Sequence, residues 1–437
     1  MPKCTDETVS FGRIGRREVH AAFDGGDIVS DGGVMLLRQM DQRLGLTKAV
    51  ARVFDDPRRA ASVKHGLREL LAQRIYALCC GWQDVTDHNM LRRDAVLQTA
   101  VGRVDELASG STLSRLETSA TADHAAALHG VLLDQFIASR KGAPDELILD
   151  VDATHIPLHG QQERAHFLAH YDAYCYLPLY VFCGQDMLAC VLRPSTRDPA
   201  SVVSALIKLL AARLRQAWPQ VRLVVRADGG FCRPRVLRRL EAWDIRYIIG
   251  LPKNATLIAN SEYAASSLAD AYAQHGVKQR MIGEFEYAAR SWPHERRVIA
   301  RLEHDRMGAD PRFIVTDLPG EAQHLYEQVY CARGEAENRI KEAQLDLFGR
   351  RASCHKYRAN QLRLLLAGLA YTLMINLRRV ALKNTELARA CTATIRTKLL
   401  KIGAAVLRNT RRVRLLLASS HPLQHVFVTA ARALAAP

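Results

Sequence analysis

The sequence predicts an α/β chain: a mixed sheet with helices packed on it, interrupted by a mostly β insertion, with a helical N-terminal domain and a basic C-terminal region. Three observations carry this reading. Residues from about 34 to 140 carry apolar stripes at helical spacing. From Asp145 onward, short β-rich apolar runs alternate with helical segments. Acidic residues stand within or at the end of two of those apolar runs, where an unpaired charge is costly.

In chain order, "HGLRELLAQRIYALCCGW" places Leu67, Leu70, Leu71, Ile75 and Leu78 on one helical stripe, and Gly81 supplies the stop. Ser114 and Glu117 have capping-box spacing, and "ADHAAALHGVLLDQFIASR" reads as a strong helix after them. "ELILDVDATHI" then reads as a strand, followed by "YLPLYVFC" and "DMLACVLRP", two apolar runs split by a "GQD" turn. A helix with Pro199 in its first turn comes next. "VRLVVRADGGF" is a buried strand ending at Asp228, "PRVLRRLEAW" a short helix, and "IRYIIGL" a strand.

The order β-β-β-α-β-α-β is that of a ribonuclease-H-like core still lacking its last helix. The following residues postpone that helix: "GEFEYAARSW", "RRVIARLEHD" and "RFIVTDL" read as alternating strands. A helix then begins near Tyr330, a long apolar helix covers about 356 to 383, and the chain closes on a basic hairpin. The expected domains are a mainly helical N-terminal region (1–143), compatible with DNA binding and equally with plain packing, the first part of the core (144–250), the β-rich insertion (251–329), the last core helices (330–383) and a basic C-terminal region (384–437).

With 437 residues, 48% of them hydrophobic, the chain has ample material for more than one domain. Its 61 Lys and Arg against 45 Asp and Glu leave a net charge of +16. The excess is spread over the whole length, which favours a nucleic-acid partner over a single basic tail. In the C-terminal hairpin, Arg396, Lys398, Lys401, Arg408, Arg411, Arg412 and Arg414 occur without one acidic residue, which suits phosphate contact. Ten cysteines at irregular positions suggest neither a disulfide framework nor a metal site, so a reducing cytoplasm is expected, with the protein at the nucleoid. The first residues show no apolar core of a secretory signal. The apolar run Leu364–Leu377 is bounded by Arg363 and Arg378 and is short for a span of about 20 residues; it reads as a buried helix, with no membrane partner.

Strand alternation puts Asp150, Asp152 and Thr154 on one face of their strand, with Leu149 and Val151 on the other. Asp228 ends another apolar strand and is followed by Gly229 and Gly230, which admit a close substrate backbone. In the expected fold these two strands are neighbours, so Asp152 and Asp228 approach each other. Clustered carboxylates repel one another unless a hard divalent cation lies between them, and oxygen-only ligation favours Mg²⁺ or Mn²⁺. In "YCARGEAENRIKEAQLDLFG", Tyr330, Arg333, Glu337 and Lys341 follow at steps of three, four and four, which places them on one helix face. An ordinary ion-pair ladder would look the same; beside two strand-end aspartates, a third metal ligand with basic neighbours is the stronger reading.

These residues resemble the DDE transposases of bacterial insertion sequences, in the branch with a Tyr-Arg-Glu-Lys signature and a β insertion before its glutamate. "LRELLAQRIYALCCGWQDVTDHNMLRRD", "LASGSTLSRLE", "RADGGF" and "ANQLRLLLAGLAYTL" extend the resemblance over nearly the whole chain. It implies Asp152, Asp228 and Glu337 as the catalytic, metal-binding triad. Asp152 is preferred to Asp150 because Asp152-Ala153-Thr154 matches an Asp-x-Thr element; Asp150 remains a helper carboxylate. Tyr330 and Arg333 would contact DNA phosphates. The signature's lysine falls at Gln344, leaving Lys341 one turn earlier to share the phosphate contact with Gln344. The implied mechanism is two-metal phosphoryl transfer with two Mg²⁺ ions, or Mn²⁺ in their place. One ion activates a water or a DNA 3′-OH, and the other stabilises the leaving oxygen. The implied endonuclease binds terminal inverted repeats, cleaves them and joins the 3′-OH ends to target DNA, as a homodimer on paired ends.

His155, His159, His166 and His170 form two His-x₃-His pairs, read here as loop residues near the site and not as a zinc centre. Trp292 is a base-stacking candidate, with core packing as its plainer role. Two rival functions share much of this pattern: a ribonuclease-H-like nuclease without strand transfer, and a non-catalytic DNA-binding descendant of a transposase.

Overall fold

A computed structural model describes residues 8–435. The chain forms two compact units, one made of the described residues up to Glu117 and from Leu373 onward, the other of Thr118–Thr372.

The second unit is built on a nine-stranded mixed sheet. Its order is Gln279–Tyr287, Arg296–Asp305, Arg312–Thr316, Arg246–Leu251, Arg222–Ala227, Glu146–Ala153, Leu179–Cys183 and Asp186–Val191, with Gly308–Ala309 paired onto Arg296–Asp305. The three middle strands, Arg246–Leu251, Arg222–Ala227 and Glu146–Ala153, run parallel, and the pairings on either side are antiparallel. Parallel neighbours need crossovers. The helices Pro199–Ala217 and Pro234–Ala242 precede and follow the Arg222–Ala227 strand accordingly.

Side-chain alternation then divides the core. Leu147, Leu149 and Val151, with Leu223, Val225 and Ala227, pack on one face against the helices Ala122–Ala138, Pro199–Ala217 and Pro234–Ala242. The other face carries Ile148, Val224 and Ile248 against Leu325, Tyr326, Val329 and Tyr330. Asp150, Asp152 and Arg226 share the parity of this second face.

The three strands expected within residues 283–318 are present at Gln279–Tyr287, Arg296–Asp305 and Arg312–Thr316. They extend the same sheet, because Arg312–Thr316 pairs with Arg246–Leu251. Two helices not anticipated from the sequence precede them, Ala255–Asn260 and Glu262–His275. Asn254 caps the first, its side chain accepting from the Leu257 amide at 3.0 Å. Three short strands, Ile156–Pro157, His166–Leu168 and Ala173–Tyr176, form a small sheet where the histidine pairs lie. The helix Tyr357–Ala381 is long and apolar enough to cross a membrane by composition, yet 89% of its apolar window is buried within the protein.

In the first unit the helices include Val34–Leu44, Leu67–Cys80 and Ala95–Val101, and an unanticipated exposed hairpin, Val9–Ile14 with Arg17–Ala21, precedes them. Gly81 ends Leu67–Cys80 with φ 99°, as its position required. The capping box expected at Ser114 and Glu117 is absent: both lie inside the helix Gly110–Thr118, and Glu117 is buried in an ion pair with Arg74 at 3.1 Å. The capping box lies instead at Thr121 and His124, opening Ala122–Ala138. The C-terminal hairpin, Ala404–Arg408 with Val413–Leu417, takes Ile28–Val29 as its third strand. Arg396 donates to the Cys79 carbonyl and Lys401 pairs with Asp31 at 2.7 Å, while Arg411, Arg412 and Arg414 are exposed.

Candidate active site

The Glu146–Ala153 and Arg222–Ala227 strands run in register, with Asp150 opposite Arg226 and Val151 opposite Ala227. The next residue on each is Asp152 and Asp228, so both carboxylates emerge at the same end of adjacent parallel strands. Asp228 is held by its own turn: its Oδ1 accepts from the Gly230 amide at 2.9 Å. Asp152 Oδ1 accepts from the Ala153 amide at 2.8 Å. Burial pushes the Asp152 carboxyl up to about 6, and the nearby Asp228 and Glu337 charges add to the rise while Arg333 opposes it.

The third carboxylate arrives on a helical segment that changes its winding. Ala322–His324 is α-helical, Leu325–Tyr330 is π-helical, Cys331–Arg333 is 3₁₀, Gly334–Lys341 is α-helical and Glu342–Asp346 is π-helical. Such departures from α-geometry cluster at functional sites. Here they bring Tyr330, Arg333 and Glu337 over the strand ends. Arg333 Nη1 lies 2.7 Å from Glu337 Oε1 and 3.7 Å from Asp152 Oδ2, so one guanidinium bridges two carboxylates. Burial opposes the Arg333 charge, but Glu337, Tyr330, Asp152 and Asp228 together hold its pKa above the ordinary value. Burial raises the Tyr330 phenol pKa, and the neighbouring Arg333 charge opposes the rise. A cleft of about 570 Å³ opens beside this group, lined by Gly229, Gly250, Tyr330, Arg333 and Glu337 among others.

Residues 11–436 match the model of the family described as transposase DDE domain group 1. The chain belongs to this family. No curated protein matches it. Among solved structures it is similar to a piggyBac transposase in a synaptic complex with hairpin DNA, solved by cryo-EM; the TM-score is 0.44 and the identity 9%, over 85% of this chain and 80% of that one.

Among the described residues of this transposase-family chain, no group of three or more His, Cys, Asp or Glu side chains is close enough to hold a metal ion. The chemistry of the donors nevertheless suits a hard cation. Asp152, Asp228 and Glu337 offer only oxygen, and the rise at Asp152, due first to burial, is increased by the charges of the other two. In the structure the compensating charge between Asp152 and Glu337 is Arg333.

The other expected site residues fall in different places. Asp150 is buried and fully engaged by Arg226, which donates from Nε to Oδ1 at 2.5 Å and from Nη2 to Oδ2 at 2.8 Å. Lys341 is exposed. Gln344, expected at a DNA phosphate, is buried at 8% exposure in the second π-helical turn, so its side chain does not reach the surface. Trp292 is half-buried against the main core, edge-on to Tyr287 at 5.5 Å, with the Arg296 guanidinium 4.9 Å above its ring. His155 stacks on Tyr171 at 4.1 Å and His170 meets the same ring at 4.7 Å, so both are engaged in aromatic packing.

Two further residues shape the site. Arg226 also donates to the Val329 carbonyl, which ties the π-helical turn carrying Tyr330 to both aspartate strands. A basic residue two positions before Asp228 in an apolar strand was the available signal. The other is Gly250, at the end of the neighbouring strand. A Cβ there would lie 2.7 Å from Tyr330 Oη, 2.8 Å from the Gly229 amide nitrogen and 3.3 Å from the Asp228 carbonyl carbon. A glycine late in a strand signals such a close approach. Gly250→Ala is expected to destabilise the protein by about 1–3 kcal/mol, since two of the three obstacles are backbone. A lowered urea midpoint would show it; an unchanged midpoint would mean that the strand ends relax freely.

Proposed function

We propose that this chain is a DNA transposase of the bacterial insertion-sequence type, which binds terminal inverted repeats, cuts the ends at Asp152, Asp228 and Glu337, and joins the 3′-OH ends to target DNA. The observation that carries the reading is the approach of Glu337 and Asp152 to a single arginine at the ends of parallel strands, one of which leads into Asp228. Membership of a DDE transposase family supports it, because two aspartates and one glutamate are the residue types found there. The parallel middle strands, flanked by antiparallel ones and crossed over by helices, support a ribonuclease-H-like core. The proposed DNA-binding region is 1–143, the core 144–250 and 330–383, the insertion 251–329 and the basic C-terminal region 384–437.

Asp152, Asp228 and Glu337 would hold divalent cations, Mg²⁺ or Mn²⁺, two per site. When bound, the ions supply Lewis-acid activation of the attacking oxygen and charge stabilisation at the leaving one. The chain's own part is positioning. Arg333, released from its carboxylates, is suited to hold a phosphate through its planar fork, and the Tyr330 hydroxyl lies beside it. Exposed Lys341 adds a further phosphate contact on the same helix. Two ends handled together would make a homodimer on DNA the working assembly.

The test is strand cleavage and joining in Mg²⁺ on duplexes bearing the inverted repeats that flank the gene, beside Glu337→Ala. Wild type should cut and join, and Glu337→Ala should lose at least about 10³-fold in rate while still binding the repeats. Cleavage without joining would indicate a nuclease, and repeat binding with no cleavage by either protein would indicate a non-catalytic descendant. Cleavage that persists in Glu337→Ala would remove Glu337 from the site.

A further inference from the structure

The cleft beside the carboxylates continues towards the sheet edge, where its lining is basic. Arg301 and Arg312 face each other in register across two antiparallel strands. Like charges directly opposite in a sheet are destabilising unless an anion lies between them. One carboxylate meets this need: Asp310 Oδ2 accepts from Arg301 Nη2 at 2.9 Å and from Arg312 Nε at 3.1 Å, while its Oδ1 accepts from Lys253 Nζ at 3.3 Å. All four residues line the cleft that Arg333 and Glu337 also line.

The acid does not balance the bases. Three cations surround Asp310, and the second carboxylate near Arg301, Glu303 at 3.4 Å, is also claimed by Lys278 at 2.7 Å. Arg301 Nε is buried with no hydrogen-bond partner. The side chains of Lys253 and Arg312 are about half and nearly two-thirds exposed, so both reach solvent at the mouth of the cleft. Three converging donors and an excess of positive charge are what a phosphodiester oxygen requires.

We infer that Lys253, Arg301 and Arg312 form a seat for a backbone phosphate of the DNA strand entering the carboxylate site, with Asp310 fixing the three bases and competing with that phosphate. The inference rests on the transposase reading. The seat accounts for two arginines placed opposite each other, and it gives the strand a hold beyond the carboxylates without reading its bases.

The experiment measures equilibrium binding of the full chain to a repeat-bearing duplex in EDTA over a range of NaCl, with cleavage in Mg²⁺ followed separately. Lys253→Ala/Arg312→Ala changes exposed side chains only. It should weaken binding at least about tenfold at 0.1 M salt and reduce the salt slope by about 1, on the order of 0.9 for the one phosphate that the seat neutralises. Asp310→Asn should do the reverse, tightening binding and steepening the slope. An unchanged slope in the double variant, or weaker binding by Asp310→Asn, would overturn the seat even if wild type binds and cuts. If wild type fails to bind DNA at all, the transposase reading itself falls, and the two failures are thereby distinguished.

Discussion

Arg226→Ala is expected to cost the Thr118–Thr372 unit about 3–5 kcal/mol, seen as a fall in its urea midpoint. The magnitude follows from what would remain. Arg226 and Asp150 have side chains only 8% and 4% exposed, and they face each other in register on neighbouring parallel strands. Removing the arginine strands a carboxylate that burial already pushes towards its neutral form, with Arg226 the main opposing influence. It also leaves the Val329 carbonyl without its donor. Removing both charges should behave differently. Asp150→Leu/Arg226→Met replaces the pair by apolar groups, and its stability should lie close to wild type. The Val329 tie would still be missing, so the turn carrying Tyr330 should be less firmly held and cleavage slower. A loss below about 1 kcal/mol in Arg226→Ala would mean that water reaches the pair.

The same pair shows what could be read in the sequence and what could not. Period-two alternation was sufficient to send Leu149 and Val151 to one face and Asp150 and Asp152 to the other, because that depends only on the strand. The strands at Arg296–Asp305 and Arg312–Thr316 were legible for the same reason. The steps from Tyr330 to Arg333 and to Glu337 likewise indicated a shared face, since helical neighbours are local. Contacts across long separations were not legible. The pairing of Arg226 with Asp150 depends on the register of two strands 76 residues apart, and the packing of Tyr330 on Gly250 depends on how a third strand ends. Gln344 was singled out only by the family signature, and its burial within the π-helical Glu342–Asp346 segment depends on a local change of winding that the signature spacing does not encode. The pairing of Ile28–Val29 with the C-terminal hairpin joins opposite ends of the sequence, which no local pattern encodes.

Asp152→Asn should separate stability from activity most sharply. In wild type the Asp152 carboxyl is pushed up to about 6 from an ordinary 3.8, with burial the first cause and Asp228 the second. A folded-state pKa above the unfolded one means that the folded chain holds this proton more tightly. The associated stability is therefore present below about pH 4 and lost as the pH rises through about 6. With one unit worth about 1.4 kcal/mol, the ionised carboxylate costs the metal-free protein on the order of 2–3 kcal/mol at pH 7. Asn at position 152 removes that cost, so in EDTA the variant should be more stable than wild type at pH 7 and nearly equal to it at pH 4. Its DNA cleavage in Mg²⁺ should fall at least about 10³-fold, because an amide is a poor substitute for an anionic ligand. Added Mg²⁺ should close the stability gap by favouring the wild-type carboxylates, and a cation bound only by the folded state stabilises it in proportion to its occupancy. Denaturation midpoints at the two pH values, with and without Mg²⁺, give the answer. A variant less stable than wild type at pH 7 in EDTA would show that the Arg333 bridge outweighs the repulsion from Asp228, and the carboxylates would then be a structural ion-pair network with no unmet demand for a cation.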